Sequence, residues 1–89
     1  MLIYKIKLTD TAESDLAKLD KPVALRVVNR LQWLADSFET LSPTPLTGPF
    51  RSDFKLRVGD YRVLYNFDRL EKVITVHIID HRSRVYKRR

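Results

Sequence analysis

The chain has 89 residues, 44% of them hydrophobic, which fits one folded domain and is too apolar for a disordered chain. It contains no cysteine, so disulfide scaffolds and Cys-ligated zinc modules are excluded. Seventeen basic against eleven acidic residues leave a net charge of +6.

The chain reads as a single domain over residues 1–89, with no repeat and no low-complexity tract. No apolar run approaches the ~18–20 residues a membrane span needs. Lys5 and Lys7 interrupt the N-terminal stretch where a signal peptide would be apolar, so a cytoplasmic protein with no membrane partner is expected.

In chain order, Leu2, Tyr4, Ile6 and Leu8 alternate with Ile3, Lys5 and Lys7, the period of a half-buried strand over 2–8. Asp10 followed three residues later by Glu13 predicts a capped helix start, with Ala12, Leu16 and Leu19 as its apolar stripe. Asp20-Lys21-Pro22 restarts a helix, on which Ala24, Val27, Val28, Leu31, Leu34, Ala35 and Phe38 recur at helical spacing. The short break between them predicts an antiparallel helical hairpin. Trp33 lies off the stripe; it either packs under a loop or, if exposed, anchors a partner. Pro43, Pro45 and Pro49 predict an irregular loop over 42–48. Three strands are expected near 53–58, 61–67 and 72–80, followed by a short basic tail. The fold class is thus α+β: a strand, a helical hairpin, then three antiparallel strands in a twisted sheet with the helices on one face.

The charge is not evenly spread. Residues 1–50 hold six basic and six acidic side chains, whereas residues 51–89 hold eleven and five. Such asymmetry points to a polyanionic partner, most often nucleic acid. Gly59-Asp60 between two alternating runs reads as a two-residue hairpin turn. Counting outward pairs Val58 with Tyr61, Arg57 with Arg62, Leu56 with Val63 and Lys55 with Leu64. Phe54, Leu56, Val58, Tyr61, Val63, Tyr65 and Phe67 then share an apolar face, and Lys55, Arg57 and Arg62 share the other. Two arginines directly opposite each other repel unless something anionic sits there. In the last strand, Ile74, Val76 and Ile78 are expected on the core face and Thr75, His77 and Ile79 on the basic one. The tail, with His81, Arg82, Arg84, Tyr86 and Lys87, is expected to fold back over the basic face.

No clustered carboxylates suit a two-metal site, and no P-loop, GxGxxG or Ser/His/Asp spacing is present, so no cofactor or metal is expected. Metal-free RNA chemistry fits these residues. Attack by the 2′-hydroxyl on the adjacent phosphorus needs a base, cations on the phosphorane oxygens and an acid for the 5′-oxygen. Arginine forks suit the oxygens. A lysine crowded by arginines is a candidate base, and histidine or tyrosine a second proton carrier. Tyr86 could instead stack on a base.

The stretch Phe54-Lys55-Leu56-Arg57-Val58-Gly59-Asp60-Tyr61-Arg62-Val63-Leu64-Tyr65 resembles the signature hairpin of the RelE/ParE toxin superfamily. His81-Arg82 followed by Val85-Tyr86 resembles its C-terminal motif, and the order of elements matches over essentially the whole chain. The resemblance implies the toxin of a type II toxin–antitoxin pair, in RelE-like members a ribosome-dependent, metal-independent endoribonuclease. Such members cut mRNA in the ribosomal A site and leave 2′,3′-cyclic phosphate ends. Lys55 is implied as base or charge stabiliser, Arg62 and Arg82 as phosphate contacts, and Tyr86 as an orienting or proton-transferring group. His81 matches a histidine that takes part in proton transfer in other branches, and Arg57, Arg84 and Lys87 would bind substrate. RelE itself carries a second lysine two positions before the first, where Asp53 stands here. The choice between Lys55 and His81 as base stays open. Expected partners are mRNA on the ribosome with its ribosomal RNA, and a cognate antitoxin whose acidic segment wraps the toxin. A ParE-like toxin that inhibits DNA gyrase, and a remnant that only binds antitoxin, are the competing readings.

Overall fold

Alternation around Ile6 forms the first strand, β1 (Lys5–Leu8), in the computed structural model, which describes residues 3–41, 43–45 and 53–87. Helix α1 (Asp10–Ala17) is capped by Thr9, one residue earlier than expected. The Thr9 Oγ1 accepts from the Ala12 amide at 3.1 Å and donates to the His77 carbonyl at 3.2 Å. Its own amide still donates to Val76 O at 3.0 Å, so the chain changes from strand to helix on this residue. Asp10 becomes the first helical residue, where its charge suits the helix dipole.

Helix α2 (Lys21–Ser37) starts where Pro22 predicts, but Asp20 in the cap position makes no side-chain bond. Val27, Leu31, Leu34 and Ala35 are buried, and Phe38 extends this face into a 3-10 turn, Phe38–Thr40. Val28, expected on the stripe, is 46% exposed, because it stands at the rim beside Ile6, Leu8 and Leu16.

The sheet has five strands in the order β1-β5-β4-β3-β2, where β2 is Thr44–Pro45, β3 Phe54–Val58, β4 Tyr61–Asp68 and β5 Val73–His81. Strand β1 is parallel to β5, which the crossover through two helices permits, and the remaining pairs are antiparallel. The two-residue β2 corrects the expectation of a wholly irregular segment. Its proline is tolerated because this strand forms the edge of the sheet. Ser42 and residues 46–48 of the expected loop lie outside the described residues, as does Leu2 of the first expected strand.

The hairpin register is the one counted from Gly59-Asp60, with Arg57 opposite Arg62 and Lys55 opposite Leu64. Gly59 has φ 59°, the left-handed position that a II′ turn places first. The second hairpin departs from simple alternation. Tyr65 pairs with Val76 but Leu64 pairs with Ile78, so His77 is an extra residue in a bulge. The bulge reverses the expected phase beyond it. Ile79 is buried in the helix-side core, while Ile78 is buried on the far face against Leu64 and Val85.

Beyond Val76, β5 has no β1 partner, and α1 covers that edge. The buried Asp15 carboxylate accepts the Ile79 amide at 3.0 Å and so satisfies it.

On the helix face, the Phe38 ring lies 4.8 Å from Tyr4 and 4.7 Å from Phe67, with Tyr65 edge-on at 6.2 Å. Burial pushes the Tyr65 hydroxyl from 10.0 up to about 12. The folded chain therefore holds this proton harder than the unfolded one. Its contribution is complete below pH 10 and is lost as pH rises toward 12. Urea midpoints of the native chain are expected to fall across this window, and those of Tyr65→Phe to fall less. Equal slopes in both proteins would remove the role of Tyr65.

Candidate functional site

The face of the sheet away from the helices carries two cross-strand rows. Arg57 on β3, Arg62 on β4 and Asp80 on β5 form one, and Lys55, Leu64 and Ile78 the other. Successive same-face residues on a strand lie about 6.5–7 Å apart, so Lys55 and Arg57 are neighbours.

The facing arginines are not left to repel each other in solution. Arg62 is 8% exposed, and its Nη1 donates to the carbonyls of Gly59 and Tyr61, each at 2.8 Å. The guanidinium thus folds back onto the turn, with Asp80 across from it on the other side. Arg57 is exposed. The positive charge that faces solvent in this row therefore comes from Arg57, while Arg62 is held rigid beneath it.

The C-terminal segment returns to the same turn. The Arg82 amide donates to Asp60 O at 2.8 Å, and its Nε lies 3.8 Å from Asp60 Oδ1. Arg62 and Arg82, twenty residues apart in sequence, thus both contact the Gly59-Asp60 turn. Arg84 Nε pairs with Asp80 Oδ1 at 3.2 Å. The closing 3-10 turn, Val85–Lys87, packs Val85 onto Leu64 and Ile78, next to Lys55 in that row. The tail thus returns to the basic face through Val85, and the next two residues, Tyr86 (38% exposed) and Lys87, are exposed.

His81 does not join this group. It pairs with Tyr61, whose ring packs against the helix-side core, and the two rings meet edge-on at 5.4 Å. The Ser83 amide donates to His81 Nδ1 at 3.2 Å, with the Ser83 hydroxyl 2.9 Å from the same atom. In the neutral ring Nδ1 is then the acceptor and Nε2 carries the proton. The bulge at His77 accounts for this placement, because it shifts the face of each residue after it.

Asp53, at the position of the missing second lysine, is 1% exposed. Among the described residues no group of three His, Cys, Asp or Glu side chains is placed to hold a metal ion. Two features are not visible in the sequence pattern. Asp80 stands opposite Arg62, and Arg26 of α2 brings its Nη1 to 4.0 Å from where a Cβ on Gly59 would sit. Both depend on register or packing, and no local signal announces them.

A five-stranded sheet thus carries two helices on one face and a cluster of basic side chains on the other. The family model for the ParE toxin of the type II toxin–antitoxin system parDE matches residues 6–86. Toxin RelG of Mycobacterium tuberculosis is 33% identical over 91 residues, covering 96% of this chain and 98% of that protein. The toxin–antitoxin complex RelBE2 from Mycobacterium tuberculosis superposes with a TM-score of 0.81 at 30% identity, over 93% of this chain and 95% of the other. The isolated E. coli RelE toxin shares the fold, with a TM-score of 0.73 at 20% identity over 94% and 92% of the two chains. The chain belongs to the RelE/ParE superfamily of type II toxin–antitoxin toxins.

Proposed function

We propose that this toxin is a ribosome-dependent endoribonuclease that cuts mRNA in the ribosomal A site and so stops translation. The observation that carries the reading is the meeting of Arg62 and Arg82 at one turn, beside exposed Arg57, with Val85 of the closing turn packed on the same face. A phosphorane developing there would find fixed guanidinium charge, and preorganised charge is the largest source of such catalysis.

In the step itself, a base removes the 2′-proton, O2′ bonds to phosphorus, and the P–O5′ bond breaks. The 5′-oxygen takes a proton from an acid, leaving a 2′,3′-cyclic phosphate and a 5′-hydroxyl. Lys55 is favoured as base, because it shares the face of Arg57 and borders Leu64 beneath the Val85 cover. His81 fits the base role poorly, since its ring lies against Tyr61 and its Nδ1 is engaged by Ser83. Tyr86 orients the substrate or supplies the leaving-group proton, and Arg84 and Lys87 extend the phosphate-binding charge. No step in this scheme calls on a metal or a cofactor.

The proposed cellular partners are mRNA and ribosomal RNA in the cytoplasm, and an antitoxin with an acidic segment that covers the basic face. The solved toxin–antitoxin complex RelBE2 supports an antitoxin as partner. No helix among the described residues is long and apolar enough to cross a membrane. The match to a ParE family model favours one second reading, inhibition of DNA gyrase by binding alone.

Induction in growing cells separates the two. Translation is expected to stop, with new message ends mapping within codons on ribosomes. Intact message together with DNA damage and failing gyrase would establish the second reading instead.

A further inference from the structure

We propose that Trp33 and Arg30 of α2 form a nucleobase-stacking subsite for single-stranded RNA, beside the basic face at the edge of β3. Trp33 is 41% exposed, and the Arg30 guanidinium lies 4.2 Å from its ring centroid. The two side chains line a groove with Lys55 and Arg57 from β3, over a floor that includes Leu34 and Leu56. No acidic side chain lines it among the described residues.

Two features of this groove point to its occupant. An exposed aromatic face among three cations over an apolar floor matches a base with its phosphates, since every base offers a π-face and cations follow the backbone. The groove is also continuous with the candidate catalytic row through Arg57, which faces Arg62 across the hairpin. A strand of RNA whose phosphate sits at the Arg57 row can thus place a flanking base on Trp33 through the groove that both residues line. An acidic protein segment is the alternative occupant. It would meet the same charge, but a flat ring on such a segment needs an aromatic residue at one matching position, whereas every nucleotide of RNA carries both a base and a phosphate.

The inference rests on the nuclease reading for RNA as the polyanion, and its test does not depend on cleavage. Trp33 is the only tryptophan in the chain, so fluorescence excited selectively at tryptophan reports on this groove alone. A short mixed-sequence oligoribonucleotide, 2′-O-methylated so that it cannot be cut, is expected to quench Trp33 saturably, and added salt to reverse the quench. Trp33→Ala is expected to weaken binding of the labelled oligonucleotide about tenfold, as losing one stacked base does. Trp33→Phe should retain most of the affinity, and Arg30→Gln should lie between the two. Because Trp33 is partly exposed, thermal melts of these variants are expected to stay near that of the parent.

RNA binding with silent Trp33 and an unaffected Trp33→Ala variant would overturn the subsite. Quenching by a Glu-rich peptide carrying one phenylalanine, with none by the RNA, would overturn it in favour of a protein partner. A chain that cuts message while Trp33 stays silent loses this inference and keeps the nuclease. A chain that binds RNA at Trp33 but cuts nothing does the reverse.

Discussion

Arg82→Ala is expected to lower message cleavage roughly 10²–10³-fold while leaving stability nearly unchanged. Its side chain is 62% exposed, and its partner Asp60, at 3.8 Å, is 69% exposed, so the ion pair itself contributes little. The bond from the Arg82 amide to Asp60 O is made by backbone and survives the substitution. Arg62→Ala should behave differently. It removes the charge and also the two bonds to the Gly59 and Tyr61 carbonyls that hold the turn. A loss of about 1.5–3 kcal/mol in folding stability is expected alongside the loss of cleavage. Cleavage mapped on translated message and urea unfolding, run on both variants, check the contrast. Full activity in Arg82→Ala would remove the phosphate role from this residue.

Phe38→Ala is expected to cost about 3–5 kcal/mol, the usual range for emptying a buried aromatic position. Phe38 is fully buried, with Tyr4 and Phe67 on its flanks and the Arg69 guanidinium 5.4 Å from its ring. It joins the end of α2 to Tyr4 just ahead of β1, to β4 and to the second hairpin, so no neighbour can move to fill the gap without unpacking another. A domain of this size has about 5–15 kcal/mol in total, and the variant should be partly unfolded at growth temperature. A urea midpoint shifted by less than about 1 kcal/mol in stability would mean that the core collapses around the gap.

Much of the sheet was legible because its signals are local. Gly59 supplies the positive φ that a two-residue turn needs, and a turn of known length sets every pair outward from it. The apolar members of α2 from Val27 to Phe38 mark the buried face by spacing alone. The errors occur where the deciding partner is distant. The cap of α1 is Thr9 because the same residue pairs with β5, which the spacing of Asp10 and Glu13 does not register. The bulge at His77 inserts one residue without disturbing the apolar composition of β5, so the periodic reading carried the wrong phase past it. That one residue moved Ile78 to the far face and His81 to the side of Tyr61.

What the sequence alone determined is the family hairpin, its register, and the confinement of the net charge to residues 51–89. Those properties follow from steric preferences and side-chain periods acting over about ten residues. Tertiary structure decided which charges act together. It buried Arg62 against the turn, brought Arg82 to that turn, set Val85 over the basic face, and placed Trp33 in one groove with Arg57. Each of these depends on close packing between segments distant in the chain, and packing distance is the one quantity that a residue pattern does not contain.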